Sequence, residues 1–231
     1  MCRIAWNEGI RSVAATAHMS DRWPEVTRPQ ILRRTQELAA RLQEIQLPLN
    51  VYPSAEVEIR PDLDHAWASG EIVGVADRRR YLLIEFPAGV FFDIRDLVRC
   101  LRSLGVRAIL AHPERQAELL FDSSAIEELI ALGCLVQVSA DSITEPASAA
   151  SARALRAWVR RGIVHLIGSD GHSPVRRPPH LAKAYQQIAS WAGGPVADRI
   201  CGHYGLAVLD GRELHLPSPT PVRKKWFTFF R

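Results

Sequence analysis

The chain has 231 residues, of which 47% are hydrophobic and 23% are charged, and these proportions are typical of a soluble globular protein. Lys and Arg number 29 against 25 Asp and Glu, and the resulting charge of +4 is too small to indicate a nucleic-acid partner. No apolar run reaches the roughly 18 residues of a membrane span, and we expect no signal peptide. Together with the composition, these features exclude disordered, membrane-spanning and disulfide-rich secreted proteins.

The apolar residues alternate, along the chain, between short β-rich runs and the spacing of amphipathic helices. Strands are predicted at residues 11–16, 49–56, 81–86, 106–111, 135–139 and 163–168. Helices are predicted at residues 28–46, 93–104, 124–132, 149–161 and 181–191. Alternating strands and helices indicate an α/β fold with a parallel sheet, and their number favours a barrel. Pro53 weakens the second strand, because proline is rare inside a sheet.

Local patterns add detail to these elements. Thr27 and Gln30 have the spacing of a capping box before the first long helix, and Asp210-Gly211 predicts a terminal hairpin. We expect one domain over residues 1–218, followed by a basic and aromatic tail over residues 219–231. The predicted inward-facing helix residues are Ile31, Thr35, Leu38, Leu42, Ile45, Leu97, Leu101, Leu104, Leu155, Trp158, Val159, Leu181, Tyr185 and Ile188.

Histidines and carboxylates lie at or just after the ends of five predicted strands. In a parallel α/β barrel these strand ends share one face, so the side chains are expected to converge. Carboxylates and imidazoles brought together in this way need a cation, and mixed N and O ligands suit Mn, Fe or Zn. Each residue alone also has a structural interpretation, as a turn residue or a buried histidine. The residues of this cluster are His18, Glu56, Glu85, His112, Asp170 and His172.

Two arginines lie just beyond two of these positions, Arg115 after His112 and Arg177 after His172. A guanidinium beside a metal cluster suits a phosphate group, so Arg115 and Arg177 are candidates for binding phosphate, with a plain surface role as the alternative. Glu85 interrupts an apolar strand, which favours a functional role over a structural one. The remaining histidines are interpreted as structural, with His165 in the core or behind the site; they are His65, His165, His180, His203 and His215.

The chain resembles the PHP (polymerase and histidinol phosphatase) superfamily, and within it the metal-dependent protein-tyrosine phosphatases of bacterial capsule and exopolysaccharide synthesis. The resemblance implies a distorted (β/α)7 barrel with two or three metal ions, usually manganese. It also implies that the six cluster residues are metal ligands with Glu85 bridging, that Arg115 and Arg177 grip the phosphate, and that Gln137 is a weaker candidate. The matching stretches are VAATAH at 13–18, YPSAEVEI at 52–59, YLLIEFP at 81–87, AILAHPER at 108–115, GCLVQVSA at 133–140 and GSDGHSPVRRPPHLAKAY at 168–185.

One part of the family pattern is missing from this sequence. The family opens with a D-x-H-x-H strand, whose histidines bind a metal, and this chain contains no His-x-His. We therefore expect six of the seven barrel strands and an incomplete set of ligands for one metal. Two explanations are left for this departure: a true start that lies upstream of Met1, or a degenerate, non-catalytic member of the family.

The implied activity is hydrolysis of phosphotyrosine on a protein, a bacterial tyrosine autokinase, by a metal-bound hydroxide. Asp170 or His172 could assist the leaving group, which makes Asp170 a catalytic candidate. A small-molecule phosphatase of the histidinol-phosphate type is the alternative, and a homo-oligomer is left open. No partner nucleic acid or membrane span is expected.

The cysteines exclude a second route to the same reaction. Thiolate phosphatases need Arg six residues after the cysteine, and none of the four cysteines has one. The sequence also lacks G-x4-GK[ST] and G-x-G-x-x-G, so a nucleotide-driven enzyme is not expected. The four cysteines form no CxxC pair, which predicts a reducing compartment, the cytoplasm.

Overall fold

The computed structural model describes residues 1–220, and their sheet has six parallel strands in chain order. This confirms the α/β class and the number of strands. Strands β1 and β6 lie at the two edges of the described sheet, so closure into a (β/α)7 barrel stays a prediction. The strands are β1 (Ser12–Met19), β2 (Asn50–Glu58), β3 (Tyr81–Glu85), β4 (Arg107–Ala111), β5 (Leu135–Ser139) and β6 (Leu166–Gly168).

Helices occupy the connections between the strands and the segment after β6. The five predicted helices are present, with ends shifted by no more than two residues, and short helices occur between them. A 3-10 turn at Pro113–Arg115 follows β4, and a π-helical turn at Arg199–His203 precedes the last helix. The α-helices are α1 (Cys2–Asn7), α2 (Arg28–Glu44), α3 (Leu63–Ala68), α4 (Arg95–Ser103), α5 (Ala117–Phe121), α6 (Ser124–Ala131), α7 (Ala140–Thr144), α8 (Ala149–Arg161), α9 (Ala182–Ala192), α10 (Gly194–Asp198) and α11 (Tyr204–Leu209).

Helix α8 shows how the sequence sets an element's limits. Its bounds match the predicted ones, because both ends carry strong local signals. At the start, the Ser148 hydroxyl accepts a hydrogen bond from the Ser151 backbone N–H. At the end, Gly162 adopts a left-handed conformation with φ of 76°, which glycine adopts at little cost. Leu155, Trp158 and Val159 are buried, as predicted.

Pro53 lies inside β2, so its predicted weakening effect was wrong. On one side the register pairs Pro53 with Ala15 of β1. On the other side β3 pairs with β2 only from Glu56 to Glu58. The pairing between β2 and β3 therefore loses no hydrogen bond because of the missing N–H of Pro53, and the strand tolerates the proline.

Other local predictions also need correction. The Thr27 side chain makes no capping hydrogen bond at the start of α2. The predicted hairpin at Asp210-Gly211 is absent from the described residues, because the apolar run before it forms α11. Three helix residues that were predicted to face inward are exposed to solvent, because they lie at helix ends or on the outer face. They are Ile45, Leu104 and Tyr185. Residues 223–231 of the predicted tail fall outside the described residues. Within residues 1–220, no helix is long and apolar enough to span a membrane.

Most of the core lies between the sheet and the helices, and it includes one buried histidine. His165 is 2% exposed, and its Nδ1 accepts a hydrogen bond of 3.0 Å from the Val136 backbone N–H. Its Nε2 is buried without a partner among the described residues. The histidine is thus neutral in the fold, in keeping with the structural interpretation of His165.

His165 makes the stability of the fold depend on pH. Burial, together with the nearby positive charge of Arg107, lowers the pKa of His165 to about 4. Between pH 6.5 and 4 the unfolded chain therefore binds a proton that the folded chain does not, so stability falls as pH falls. Between pH 7 and pH 5 we expect the wild type to lose about 2 kcal/mol of unfolding free energy relative to His165→Gln. Denaturant unfolding of both chains checks this, and a difference independent of pH would contradict it.

Candidate metal and phosphate site

The sheet brings the predicted cluster residues of β1, β2, β3 and β4 to one edge. His18 and Glu56 are direct partners in the register of β1 and β2, and Glu85 ends β3 one strand further on. His112 follows β4 immediately. Because the strands are parallel, all four residues project from the same carboxyl-terminal edge.

Two carboxylates lie between two histidines in this cluster. His18 Nδ1 lies 2.8 Å from Glu85 Oε1 and 3.9 Å from Glu56 Oε2. On the other side, His112 Nε2 lies 2.8 Å from Glu56 Oε1 and 3.4 Å from Glu85 Oε2. The Glu56 and Glu85 side chains are 6% and 15% exposed, so two mostly buried carboxylates face each other.

The charge balance of this cluster favours the ionised form of Glu85. Burial raises the pKa of Glu85, but hydrogen bonds from His112 and His18 outweigh it and lower the pKa to about 2. Burial lowers the pKa of His112, whereas the hydrogen bonds to Glu56 and Glu85 raise it to about 9. The hydrogen bond to Glu85 also raises the pKa of His18. Positive charge therefore stabilises the Glu85 carboxylate.

The donor set fits a divalent cation. Ligand atoms of His18, Glu56 and Glu85 all lie within 4.8 Å of one another. His172 extends the set, since its Nε2 lies 3.3 Å from His18 Nε2, and two imidazole nitrogens directed at each other are a pattern that one shared cation satisfies. Mixed imidazole and carboxylate ligands suit Mn, Fe or Zn.

Asp170 lies in a second, adjacent group of residues. Arg115 and Arg177 both donate hydrogen bonds to its Oδ2, and Arg115 also donates to Ser139 Oγ at 3.2 Å. His172 connects the two groups, because its Nδ1 lies 2.9 Å from the Asp170 carbonyl oxygen. All six predicted cluster residues and both predicted arginines thus lie together, with Asp170 paired to the arginines.

Unusual backbone conformations aim two of these side chains. His112 and Asp170 have φ of 33° and 49°, in the left-handed region that residues other than glycine rarely adopt. The His112 N–H donates to the Gln137 carbonyl oxygen at 2.7 Å. Such strained residues concentrate at functional sites, where the surrounding structure holds them.

Gln137, the weaker candidate, packs against β6. A Cβ at Gly168 would lie 2.7 Å from Gln137 Nε2, so a larger residue there would require the Gln137 side chain to move. The contact places Gln137 under the strand that leads to Asp170. Its role in the described residues is therefore packing beside the site.

Two residues that support the site were not predicted from the sequence. Glu114 is buried, its Oε1 accepts a hydrogen bond of 2.9 Å from the Ser139 N–H, and burial raises its pKa. Glu8 accepts hydrogen bonds from the Leu181 and Ala182 N–H groups at 3.0 and 2.9 Å. The Glu114 bond joins the turn after β4 to β5. The two Glu8 bonds hold the chain shortly after Arg177. The only sequence signal for Glu114 was its position within the AHPER motif.

A cavity of about 320 Å³ opens onto this cluster. Its polar part includes His18, Glu85, His112 and Arg115. The ends of β2 and β4 and the turn after β4 add Glu58, Ala111 and Gln116, and the loops after β1 and β3 complete the wall with Ser20, Arg22, Trp23, Phe86, Ala88 and Gly89. The space suits a small phosphorylated group that joins a charged end to an apolar body.

Comparisons with known proteins agree on one family. A family model for capsular polysaccharide synthesis, CpsB/CapC, matches residues 1–210. The chain is 27% identical to the tyrosine-protein phosphatase YwqE of Bacillus subtilis, over 100% of this chain and 91% of YwqE. It is 25% identical to the tyrosine-protein phosphatase CpsB of Streptococcus pneumoniae, over 85% of this chain and 83% of CpsB.

A solved structure shares the fold. It comes from work on the crystal structures of YwqE from Bacillus subtilis and CpsB from Streptococcus pneumoniae, called unique metal-dependent tyrosine phosphatases. The TM-score is 0.86 at 25% sequence identity, over 97% of this chain and 90% of that chain. The shared fold therefore extends over nearly the whole chain.

Proposed function

Because the chain belongs to the CpsB/CapC family of capsular polysaccharide synthesis, we propose that it is a metal-dependent protein-tyrosine phosphatase. One observation carries this proposal. Two mostly buried carboxylates, Glu56 and Glu85, lie between two histidines, beside two arginines that converge on Asp170. The first group has the chemistry of a cation site, and the second has the chemistry of a phosphate site.

In this proposal six side chains hold divalent ions, with manganese as the first candidate and iron or zinc as alternatives. Glu85 has one oxygen near His18 and the other near His112, so it is placed to bridge two ions. When bound, such ions activate water and the phosphoryl group as Lewis acids. The proposed ligands are His18, Glu56, Glu85, His112, Asp170 and His172.

Arg115 and Arg177 are the proposed phosphate-binding residues. They come from different segments, the turn after β4 and the loop after β6, yet both guanidinium groups reach the same carboxylate oxygen. A phosphate arriving there meets two positive, planar donors that suit its oxygens. Charge develops on those oxygens in the transition state, so two fixed donors would lower the barrier.

The departing phenol needs little help, because its pKa is about 10. The proposed source of that proton is whichever of Asp170 and His172 is not fully committed to metal. Asp170 accepts from both arginines, and His172 Nδ1 lies 3.5 Å from Asp170 Oδ1. Asp170 is then a shared group, which binds arginine, a metal ion or a proton. Substitution of Asp170 is expected to disturb all three functions together.

The proposed substrate is phosphotyrosine on a protein of capsule or exopolysaccharide synthesis, namely a bacterial tyrosine autokinase. The family supports the pathway, and the open cavity supports a protein substrate, since a tyrosine must enter from a surface. The four cysteines are free, which supports the cytoplasm as the compartment. Self-association is left open.

A substrate panel tests the proposed function. The chain is loaded with Mn²⁺ and supplied with a phosphotyrosine peptide, a phosphoserine peptide or histidinol phosphate, and released phosphate is measured. We expect kcat/KM to be at least about tenfold higher for the phosphotyrosine peptide, because the cavity joins the phosphate site to an apolar wall. Faster turnover of histidinol phosphate, or no Mn²⁺-dependent release from any substrate, would contradict the proposal.

A further inference from the structure

Aromatic side chains lie on the loops after β1 and β3, and two of them, Trp23 and Phe86, line the cavity. Trp23 lies on the first loop and is 51% exposed. On the second loop Phe91 and Phe92 are 39% and 38% exposed, and both make edge contacts with Phe86, at 5.4 and 5.5 Å between ring centroids. We call these four residues the aromatic rim.

The aromatic rim is continuous with the site. Trp23 and Phe86 line the same cavity as His112 and Arg115. Within this cavity the His112 and Glu85 side chains are mostly buried, whereas Trp23 is half exposed. The Trp23 ring is therefore accessible to a ligand in the cavity.

The backbone of Trp23 takes part in two hydrogen bonds of its loop. The Trp23 N–H donates to the Ser20 carbonyl oxygen at 3.0 Å, and the Val26 N–H donates to the Trp23 carbonyl oxygen at 2.9 Å. Both bonds use backbone atoms, so replacing the side chain removes no hydrogen-bonding group from them. Trp23 and Phe86 line the cavity together with His112 and Arg115, which brings an indole and a phenyl ring to the same space as the charged groups.

We infer that Trp23, with Phe86 in the same wall, contacts the aromatic ring of the phosphotyrosine whose phosphate lies at Arg115, and thereby selects aryl over alkyl phosphates. This inference rests on the proposed function and deepens it. The physical reason is that a planar apolar ring next to an anionic head matches an indole next to guanidinium and imidazole groups. Aromatic rings prefer offset or edge contacts with each other, which a phenyl ring can make and an alkyl chain cannot.

Binding of two unreactive ligands tests the inference without turnover. Phenylphosphonate and methylphosphonate carry the same head group, and calorimetry gives their affinities for the Mn²⁺-loaded chain. We expect the wild type to bind phenylphosphonate about tenfold more tightly, the Trp23→Ala variant to bind both within about twofold, and Trp23→Phe to keep most of the preference. Phe121→Ala serves as the control, because Phe121 is an exposed aromatic residue that does not line the cavity.

Kinetics supply the second readout. In Trp23→Ala, kcat/KM for the phosphotyrosine peptide should fall about tenfold through KM, while turnover of a phosphoserine peptide is unchanged. Wild type with no preference for phenylphosphonate, or a preference that survives Trp23→Ala, overturns the inference. An oligomer that Trp23→Ala dissociates, with the preference intact, assigns the aromatic rim to a subunit contact and also overturns it.

The two proposals can fail separately. If the wild type releases no phosphate from the phosphotyrosine peptide but still prefers phenylphosphonate through Trp23, the phosphatase proposal is wrong and the ring contact stands. If hydrolysis of phosphotyrosine is rapid and Trp23→Ala changes neither affinity nor KM, the ring contact is wrong and the phosphatase proposal stands.

Discussion

Replacing Glu85 by glutamine is expected to abolish metal binding and nearly all turnover while the chain stays folded. Glu85, like Glu56, has an oxygen near each of two histidines, and it makes the shorter contact with His18, 2.8 Å against 3.9 Å. The neutral amide keeps its shape but removes the charge that a shared cation needs. We expect kcat/KM to fall by on the order of a thousandfold or more. Mass spectrometry of bound manganese and phosphate release from a phosphotyrosine peptide measure the two effects.

The control for this substitution is Glu37→Gln, which removes one carboxylate from the exposed face of α2. It should bind metal and turn over like the wild type. Thermal unfolding of Glu85→Gln without metal should remain a single cooperative transition, at a lower Tm than the wild type, because the amide fills the same space but no longer pairs as an anion with His18 and His112. A Glu85→Gln chain that retains its manganese and at least half its activity would rule out the bridging role.

Removing either arginine beside Asp170 is expected to reduce catalysis without loss of metal. Arg115→Ala and Arg177→Ala each delete one of two guanidinium groups that reach Asp170 Oδ2, and each should lower kcat/KM by about a hundredfold to a thousandfold. Lysine at either position should restore only part of the activity, since an ammonium group lacks the planar pair of donors. Steady-state kinetics and manganese content check both expectations.

The matched control is Arg176→Ala, because Arg176 is exposed and adjacent to Arg177 in the same loop. That variant should keep the wild-type kcat/KM within about twofold. If Arg115→Ala and Arg177→Ala behave like Arg176→Ala, the guanidinium groups bind no phosphate. If instead they lose manganese, their role is to hold Asp170 for the metal.

The sheet was predictable from the sequence because buried parallel strands are nearly continuous apolar runs. Strand β5 matches its predicted bounds, and β3 ends one residue earlier than predicted. Strand β1 was harder, because alanines carry a weak signal, and the structure extends it to Met19 so that His18 lies inside the strand. Short helices such as α5 were missed, since five residues are too few for a helical period to show.

The gathering of the cluster was predictable because parallel strand ends share one edge of the sheet. Which side chains pair with each other inside the cluster was not predictable from the sequence. Asp170 bonds to two arginines because the loop after β6 folds back, with the Arg177 carbonyl oxygen accepting from the His172 N–H at 2.8 Å, and no local pattern encodes that return. Glu114 was missed for a similar reason, since its burial depends on packing against β5.

The helix faces show the limits of periodicity in the same way. Tyr185 has the spacing of an inward residue of α9, yet its hydroxyl donates to Asp198 at 2.8 Å and the ring lies at the surface. Leu104 comes directly after the last residue of α4, where the chain turns at Gly105. Both positions fit the helical period, and tertiary contacts decided their exposure.

The central claim is that Glu56, Glu85 and the neighbouring histidines hold a divalent cation on which phosphotyrosine hydrolysis depends. Its most direct test is phosphate release from a phosphotyrosine peptide by the chelator-treated chain, measured before and after Mn²⁺ is added. We predict almost no release before addition and full turnover after it. Equal release in the absence and presence of the metal would contradict the claim.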